Sequence, residues 1–269
     1  MSRKIFGVFT ALGFELKLTS LIKKIPSVNG WLLRKGWSDK NDAYYHRIFT
    51  SVYDVFQKNG VPLPGTRILE LGSGNLPRLG DYFIKHCGVS EFVASDPYRR
   101  NDAADAALSG PARLKFIKLD LTSEHRTKTY AGYFDIAISN AVLEHLSRNS
   151  CAQAVKNINQ ALKTGGYSFH QIDLKDHLNG RAAPFNFYKY DESTWESSTS
   201  GTIFYTNRLR CSDWIGLFQA NGFEIRYLFK YRNPDSKFPK KISPYFSQYD
   251  VNDRNVRTLD ILVKKIRDV

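Results

Sequence analysis

From Pro62 onward, short apolar runs alternate with stretches whose apolar residues recur at helical spacing. The runs predict strands over Arg67–Leu71, Glu91–Ser95, Arg113–Leu119, Phe134–Ser139, Gly166–Ile172, Phe223–Phe229 and Thr258–Lys264. Between the fourth and fifth, Cys151, Ala154, Val155, Ile158, Ala161 and Leu162 return every three or four residues, which predicts a helix stopped by Thr164-Gly165-Gly166. An earlier helix is expected over Asp42–Lys58, ending at Asn59-Gly60 where a left-handed cap is easy. Alternation of this kind implies an α/β fold, a mostly parallel sheet covered on both faces.

Two segments break the alternation. Residues 173–210 are crowded with aromatics of no clean period, among them Phe185, Phe187, Tyr188, Trp195 and Tyr205; residues 231–257 carry Pro234, Pro239 and Pro244 beside several lysines. Long insertions in a compact domain are usually lids or binding loops, so the first is expected to cover an acceptor site. Aromatics there can stack on a ligand or pack a small core of their own. Ahead of the alternating region, residues 1–60 form a separate unit: Arg3, Lys4, Lys17, Lys23, Lys24, Arg34, Lys35 and Lys40 face only Glu15 and Asp39 over the first forty positions. That pattern suits a basic amphipathic helical arm, which either packs on the main domain, residues 61–269, or meets an anionic membrane surface.

Charge narrows the partners without choosing one. The 39 Lys and Arg against 26 Asp and Glu give +13 over 269 residues, which favours anionic partners. Cys87, Cys151 and Cys211 are odd in number, far apart and without a CxxC pair, which supports neither a disulfide framework nor a zinc site. The run Ile5–Ile22 is broken by Glu15 and Lys17 and lacks a cleavage signal, so a cytoplasmic protein is expected, peripheral to the inner face of the membrane if the arm binds lipid.

The candidate chemistry starts at Arg67-Ile-Leu-Glu-Leu-Gly-Ser-Gly74, a strand running into a glycine turn whose backbone can approach a ligand closely. A dinucleotide fingerprint needs a third glycine where Pro77 stands, so another nucleotide-like ligand is expected. Asp96-Pro97 follows the second strand, Asp120-Leu121 follows the third, and Phe134–Leu146 reads FDIAISNAVLEHL. With 26 residues from Glu70 to Asp96 and 24 from Asp96 to Asp120, the ordered set resembles a class I S-adenosylmethionine-dependent methyltransferase of the type 11-like kind, over roughly Pro62 to Lys265. The resemblance implies a Rossmann-like seven-stranded sheet with its last strand antiparallel. It also implies S-adenosyl-L-methionine as cofactor, held by Glu70, Gly72, Ser73, Gly74, Asp96 and Pro97 at the turn and ribose, by Asp120 and Leu121 at the adenine, and by Asn140 and His145 near the methyl group.

Base methylation of nucleic acid is disfavoured, because Asn140 is followed by Ala141-Val142 rather than by two prolines. The segments Phe169–His177 and Tyr205–Arg210 loosely resemble methyltransferases of bacterial surface-polysaccharide loci, which implies a glycan or lipid-linked glycan acceptor. A sugar hydroxyl must lose its proton as the methyl arrives, and His170 at the fifth strand's end is the expected base, with Asp173 and His177 beside it. His170 can equally be a structural edge histidine. A metal site of His170, Asp173 and His177 is open but generic in spacing, and no metal is expected. Asn207, Arg208 and Arg210 are expected to bind the acceptor, with Arg208 alternatively holding lid carbonyls. The rival acceptors are a small lipid or quinone-like metabolite; a noncatalytic, cofactor-binding regulator is the rival of another class.

Overall fold

The structure is a computed structural model that describes residues 21, 24–25, 41–74, 77–97, 113–123, 129–179, 183–234 and 237–269. The expected basic arm falls almost wholly outside the described residues. Its last part does not behave as an arm. Helix α1 (Asp42–Lys58) is capped by the Asn41 side chain, which accepts from the Tyr44 amide at 3.0 Å, and it buries Ile48, Phe49, Val52, Val55 and Phe56. These recur every three or four residues, and Phe49 and Phe56 pack on Phe83 and Phe169 of the main domain. The boundary expected at residue 60 therefore cuts through a shared core; α1 belongs to the domain.

Seven strands form one sheet: β1 (Arg67–Leu71), β2 (Glu91–Ser95), β3 (Leu114–Ile117), β4 (Phe134–Asn140), β5 (Leu162–Asp173), β6 (Phe223–Arg232) and β7 (Val256–Lys265), in the order β3-β2-β1-β4-β5-β7-β6. β1 to β5 run parallel, and β7 is antiparallel to both β5 and β6. The described helices that cover it are α1, α2 (Arg78–Cys87), α3 (Cys151–Ala161) and α5 (Cys211–Ala220), with α4 (Glu192–Thr199) and α6 (Val251–Arg254) in the insertions. The stop expected at Thr164-Gly165-Gly166 lies inside β5. Helix α3 ends at Ala161, and Leu162 already pairs with Phe134 across an irregular register.

Period-two alternation assigns each strand residue to one of two cores. Leu69, Leu71, Ala137, Ile172, Leu259, Ile261 and Val263 face α3 and α5. Ile68, Ile136, Ile138, Phe169 and Leu262 face α1 and α2. A third core belongs to the two insertions together: Leu178, Phe185, Phe187, Tyr188, Trp195 and Tyr205 from the first meet Phe246 and Tyr249 from the second. The insertion aromatics thus pack one another, and most are lost to a ligand. Among the described residues no helix is long and apolar enough to cross a membrane.

Candidate active site

The glycine turn after β1 is tied to β2 by its own backbone. Ser73 donates its amide to Ser95 O at 3.0 Å, Gly74 donates to Asp96 Oδ2 at 3.1 Å, and Ser95 Oγ donates to Glu70 O at 2.8 Å. Gly72 has φ 68°, and a Cβ there would lie 2.5 Å from Val142 Cγ2. Both facts demand glycine. Gly74 has φ 75°, and nothing among the described residues lies within 4 Å of a Cβ there, so among them this side of the turn is open.

Three carboxylates stand at or beyond the carboxyl ends of β1, β2 and β3. Asp96 is 4% exposed, with Pro97 beside it. Glu70 is buried with Oε2 lacking a partner, and burial followed by the charge of Asp96 pushes its carboxyl up to about 8. Asp120 is exposed and closes a turn over Leu121 by accepting from the amide and hydroxyl of Thr122 at 2.9 and 2.7 Å. Asn157 Nδ2 donates to Leu121 O at 2.7 Å, fixing that backbone to α3.

Past β4 the chain kinks at Ala141, a non-glycine residue at φ 54°, whose amide donates to Gln171 O at 2.9 Å. Asn140 Nδ2 donates to the Tyr44 hydroxyl at 2.8 Å, while Asn140 Oδ1 has no partner. The kink leads to a short helical turn, Leu143–His145. There Glu144 is buried with neither carboxylate oxygen bonded, and His145 Nδ1 bonds Tyr205 O at 3.0 Å.

His170 does not reach the pocket. It points to the α5 face of β5, where its Nδ1 and Nε2 each bond a serine hydroxyl, Ser139 and Ser168, at 2.7 Å and its ring stacks on Phe218. Fully buried, it is pushed down to about 3 by that burial. The reason is parity: Phe169, Gln171 and Asp173 share the α1 face, and His170 lies between them on the other. Asp173 does sit at the strand end, accepting from Lys175 Nζ at 2.7 Å with His177 Nε2 at 3.5 Å. Burial would raise its carboxyl, but His177 and Lys175 together hold it down to about 2.

The three expected acceptor ligands are structural. Arg208 is 2% exposed, with its guanidinium donating to Phe187 O, Tyr190 O, Asp191 O and the Glu192 carboxylate. Arg210 is 0% exposed and donates to Leu174 O at 3.0 Å and Val256 O at 2.6 Å, with Arg254 O at 3.3 Å. Asn207 Nδ2 donates to Leu143 O at 2.8 Å and Leu146 O at 3.2 Å, pinning the insertion to the loop after β4. Their donors hold the lid together, as the alternative for Arg208 had it.

A cavity of about 420 Å³ opens on the α1 face at the ends of β4 and β5. Asn140, Gln171 and Asp173 line it with Asp260 and Thr258 of β7, Lys175, Phe229 and Tyr231 of β6, and Tyr44 and Arg47 of α1. Asp260 is 9% exposed, accepts from Gln171 Nε2 at 2.9 Å, and has its carboxyl raised by burial against that hydrogen bond. Tyr44 and Asp260 were missed from the sequence. Asp260 left a signal, a lone acid inside the apolar run Leu259–Val263; Tyr44 left none beyond an ordinary helix position.

Turn, acids and cavity lie at the carboxyl ends of the parallel strands, where open α/β sheets collect ligands. A family profile described as the methyltransferase domain matches residues 42–228, starting at the first residue of α1. The chain belongs to that family. With its seven-stranded sheet it is an S-adenosylmethionine-dependent methyltransferase of class I fold. No curated protein matches the sequence. Among solved structures, an S-adenosylmethionine-dependent methyltransferase from Mesorhizobium loti is 15% identical at TM-score 0.55, covering 79% of this chain and 97% of that one. The 1,6-didemethyltoxoflavin-N1-methyltransferase of Burkholderia thailandensis is 14% identical at TM-score 0.54, covering 93% and 89%. At these identities the likeness shows the fold alone. The residues present fit the family's donor: an open turn that excludes side chains, a buried acid, Glu70, short of a hydrogen-bond donor, and a buried Asp96 beside the turn.

Proposed function

We propose that this methyltransferase transfers the donor's methyl group to a hydroxyl of a sugar, in a glycan or lipid-linked glycan of the bacterial cell surface. The observation that carries the reading is the cavity's lining, in which carboxylates, amides and a lysine alternate with Tyr44, Phe229 and Tyr231. Sugars offer hydroxyls to the first set and apolar C–H faces to the second. The donor, when bound, supplies an electrophilic methyl on a sulfonium. Asp96 takes the ribose hydroxyls, the Gly72-Ser73-Gly74 backbone borders the chain that follows, Asp120 and Leu121 meet the adenine edge, and Glu70 receives the ammonium that its bare oxygen lacks.

On the acceptor side Asp260 is the base. Its raised carboxyl holds a proton more readily than an ordinary aspartate, whereas Asp173, held low, is fitted to position a hydroxyl by accepting its hydrogen bond. Asp260→Asn should then lower turnover about 10²–10⁴-fold at unchanged donor affinity. The substrate class is tested with methyl-labelled donor and fractionated bacterial envelope. An O-methyl sugar recovered by mass spectrometry after acid hydrolysis of the labelled fraction supports the reading. Label confined to free lipid, quinone, protein or RNA overturns it.

A further inference from the structure

Glu144, His145 and His177 form a cluster that neither donor nor acceptor accounts for. One ligand atom from each, a carboxylate oxygen and two imidazole nitrogens, lies within 4.8 Å of the others. Glu144 is 1% exposed and neither of its carboxylate oxygens has a hydrogen-bond partner, so a buried carboxylate lies in the cluster with only the charge of Lys175 and nearby backbone amides to offset it. Leaving such a group bare is costly, and the group that would satisfy it must be a cation or a donor. The histidines are 4.9 Å apart between ring centres. His145 places Nδ1 against Tyr205 O at 3.0 Å, which makes Nδ1 the protonated nitrogen and leaves the lone pair on Nε2. A carbonyl or carboxylate holding the far side of an imidazole is the usual support for a metal-ligating histidine, and Asp173, 3.5 Å from His177 Nε2, stands in that relation to the second ring.

We propose that Glu144, His145 and His177 bind one divalent transition-metal ion of borderline character, such as zinc, cobalt or nickel. Two imidazoles and one carboxylate are a donor set suited to those ions rather than to magnesium or calcium. Ligands about 2.1 Å from one ion stand at most about 4.2 Å apart, so the cluster needs only side-chain rotation to close. The ion would join three segments at once: the turn after β4, the loop that follows β5, and, through Tyr205 and the Asn207 amide on Glu144 O at 2.8 Å, the far end of the lid. It would tie the first insertion to the turn after β4, beside the Asp173 that lines the cavity.

The test is metal binding and needs no substrate. The full chain, stripped with a chelator, is titrated with Co²⁺ while its visible absorption is followed, and Zn²⁺ is then used to displace it. One Co²⁺ per chain with the intense absorption of a low-symmetry nitrogen and oxygen site is expected. His177→Ala, at a partly exposed position that keeps the fold, should weaken binding about 10–100-fold or more, and Glu144→Gln similarly, with circular dichroism unchanged. His46→Ala with His86→Ala, two histidines beside Tyr82 on α1 and α2, is the control and should leave the site intact. No ordered Co²⁺ spectrum, binding undiminished in His177→Ala, or binding lost in the His46 and His86 control would each overturn the proposal.

Discussion

The two halves of the sheet treat their polar residues in opposite ways. Around β1 and β2 the groups named by the motif are not sealed by the described residues: none of these crowds a Cβ at Gly74, Glu70 has a bare oxygen, and Asp96 uses one oxygen to fix the turn. Around β5 and the lid, the residues that read as chemistry are pegs. Arg208 and Arg210 are sealed on carbonyls, Asn207 joins two loops, and His170 is locked between two serines. A glycine turn has few structural uses, whereas Arg, Asn and His serve as readily inside a protein as at its surface, so residue type points toward a ligand in the first half and to no single role in the second.

The comparison breaks first at Gly72. Gly72→Val asks a β-branched residue to take φ 68° and puts its Cβ on Val142, so donor binding should vanish in calorimetry with S-adenosylhomocysteine. Retained affinity would show that the turn is not the donor site. Next comes Arg210→Ala, which in a peg should unfold rather than inactivate: an emptied side-chain volume and three unpaired carbonyls cost about 3–5 kcal/mol, read by denaturant melts. An Arg210 variant of near-normal stability and a raised acceptor KM would restore it to the acceptor.

The sequence made the sheet legible because each strand carries its own apolar run between turn residues; β1 and β2 match the expected ranges to the residue. The residues proposed for the donor could be named from the sequence because they follow one another in chain order at the ends of successive strands. The cavity proposed for the acceptor was not, since Tyr44, Asn140, Asp173 and Asp260 come from four elements whose juxtaposition exists only after folding. His170 is the instructive case. Counting back by twos from Asp173 passes through Gln171 and Phe169, and places His170 on the opposite face, a parity available in the sequence had the strand's two faces been separated before its end was read as a site.

Asp96→Ala sharpens the donor half. Loss of a charged acceptor of two hydroxyls in a partly closed pocket should weaken S-adenosylhomocysteine by about 1–3 kcal/mol, roughly five- to 150-fold, with part of the effect passing through the Gly74 amide it also holds. Asp96→Asn, which keeps one carbonyl oxygen for Gly74, separates the two: a loss equal to that of alanine assigns the effect to charge at the ribose. A folded alanine variant with wild-type affinity would remove Asp96 from the site.

The smallest expected effect concerns His170, and it appears in acid. Its folded value near 3 lies below the ordinary histidine value of 6.5, so between those limits the unfolded chain binds a proton that the folded chain refuses. Stability from this group is therefore complete above about pH 6.5 and declines as pH falls, by about 1.4 kcal/mol at pH 5.5. His145, pulled down to about 4 for the same reason, has the same sign; Glu70, raised to about 8, has the opposite one and gains as pH falls from 8 toward 4.5. Because further buried groups such as Glu144 and Asp260, both raised, contribute as well, the informative measurement is a difference. His170→Phe keeps a ring against Phe218 and removes this titration along with the two serine hydrogen bonds, whose loss lowers stability at both pH values, so the melting temperature of the variant should fall less than that of the wild type between pH 7.5 and 5.5. Turnover at pH 7.5, taken well below the melting temperature, should be near normal in the variant. A hundredfold loss of turnover in folded protein, with no change in the acid limb, would mean that the ring acts on the acceptor after all and that the peg description of the β5 half fails at its central residue.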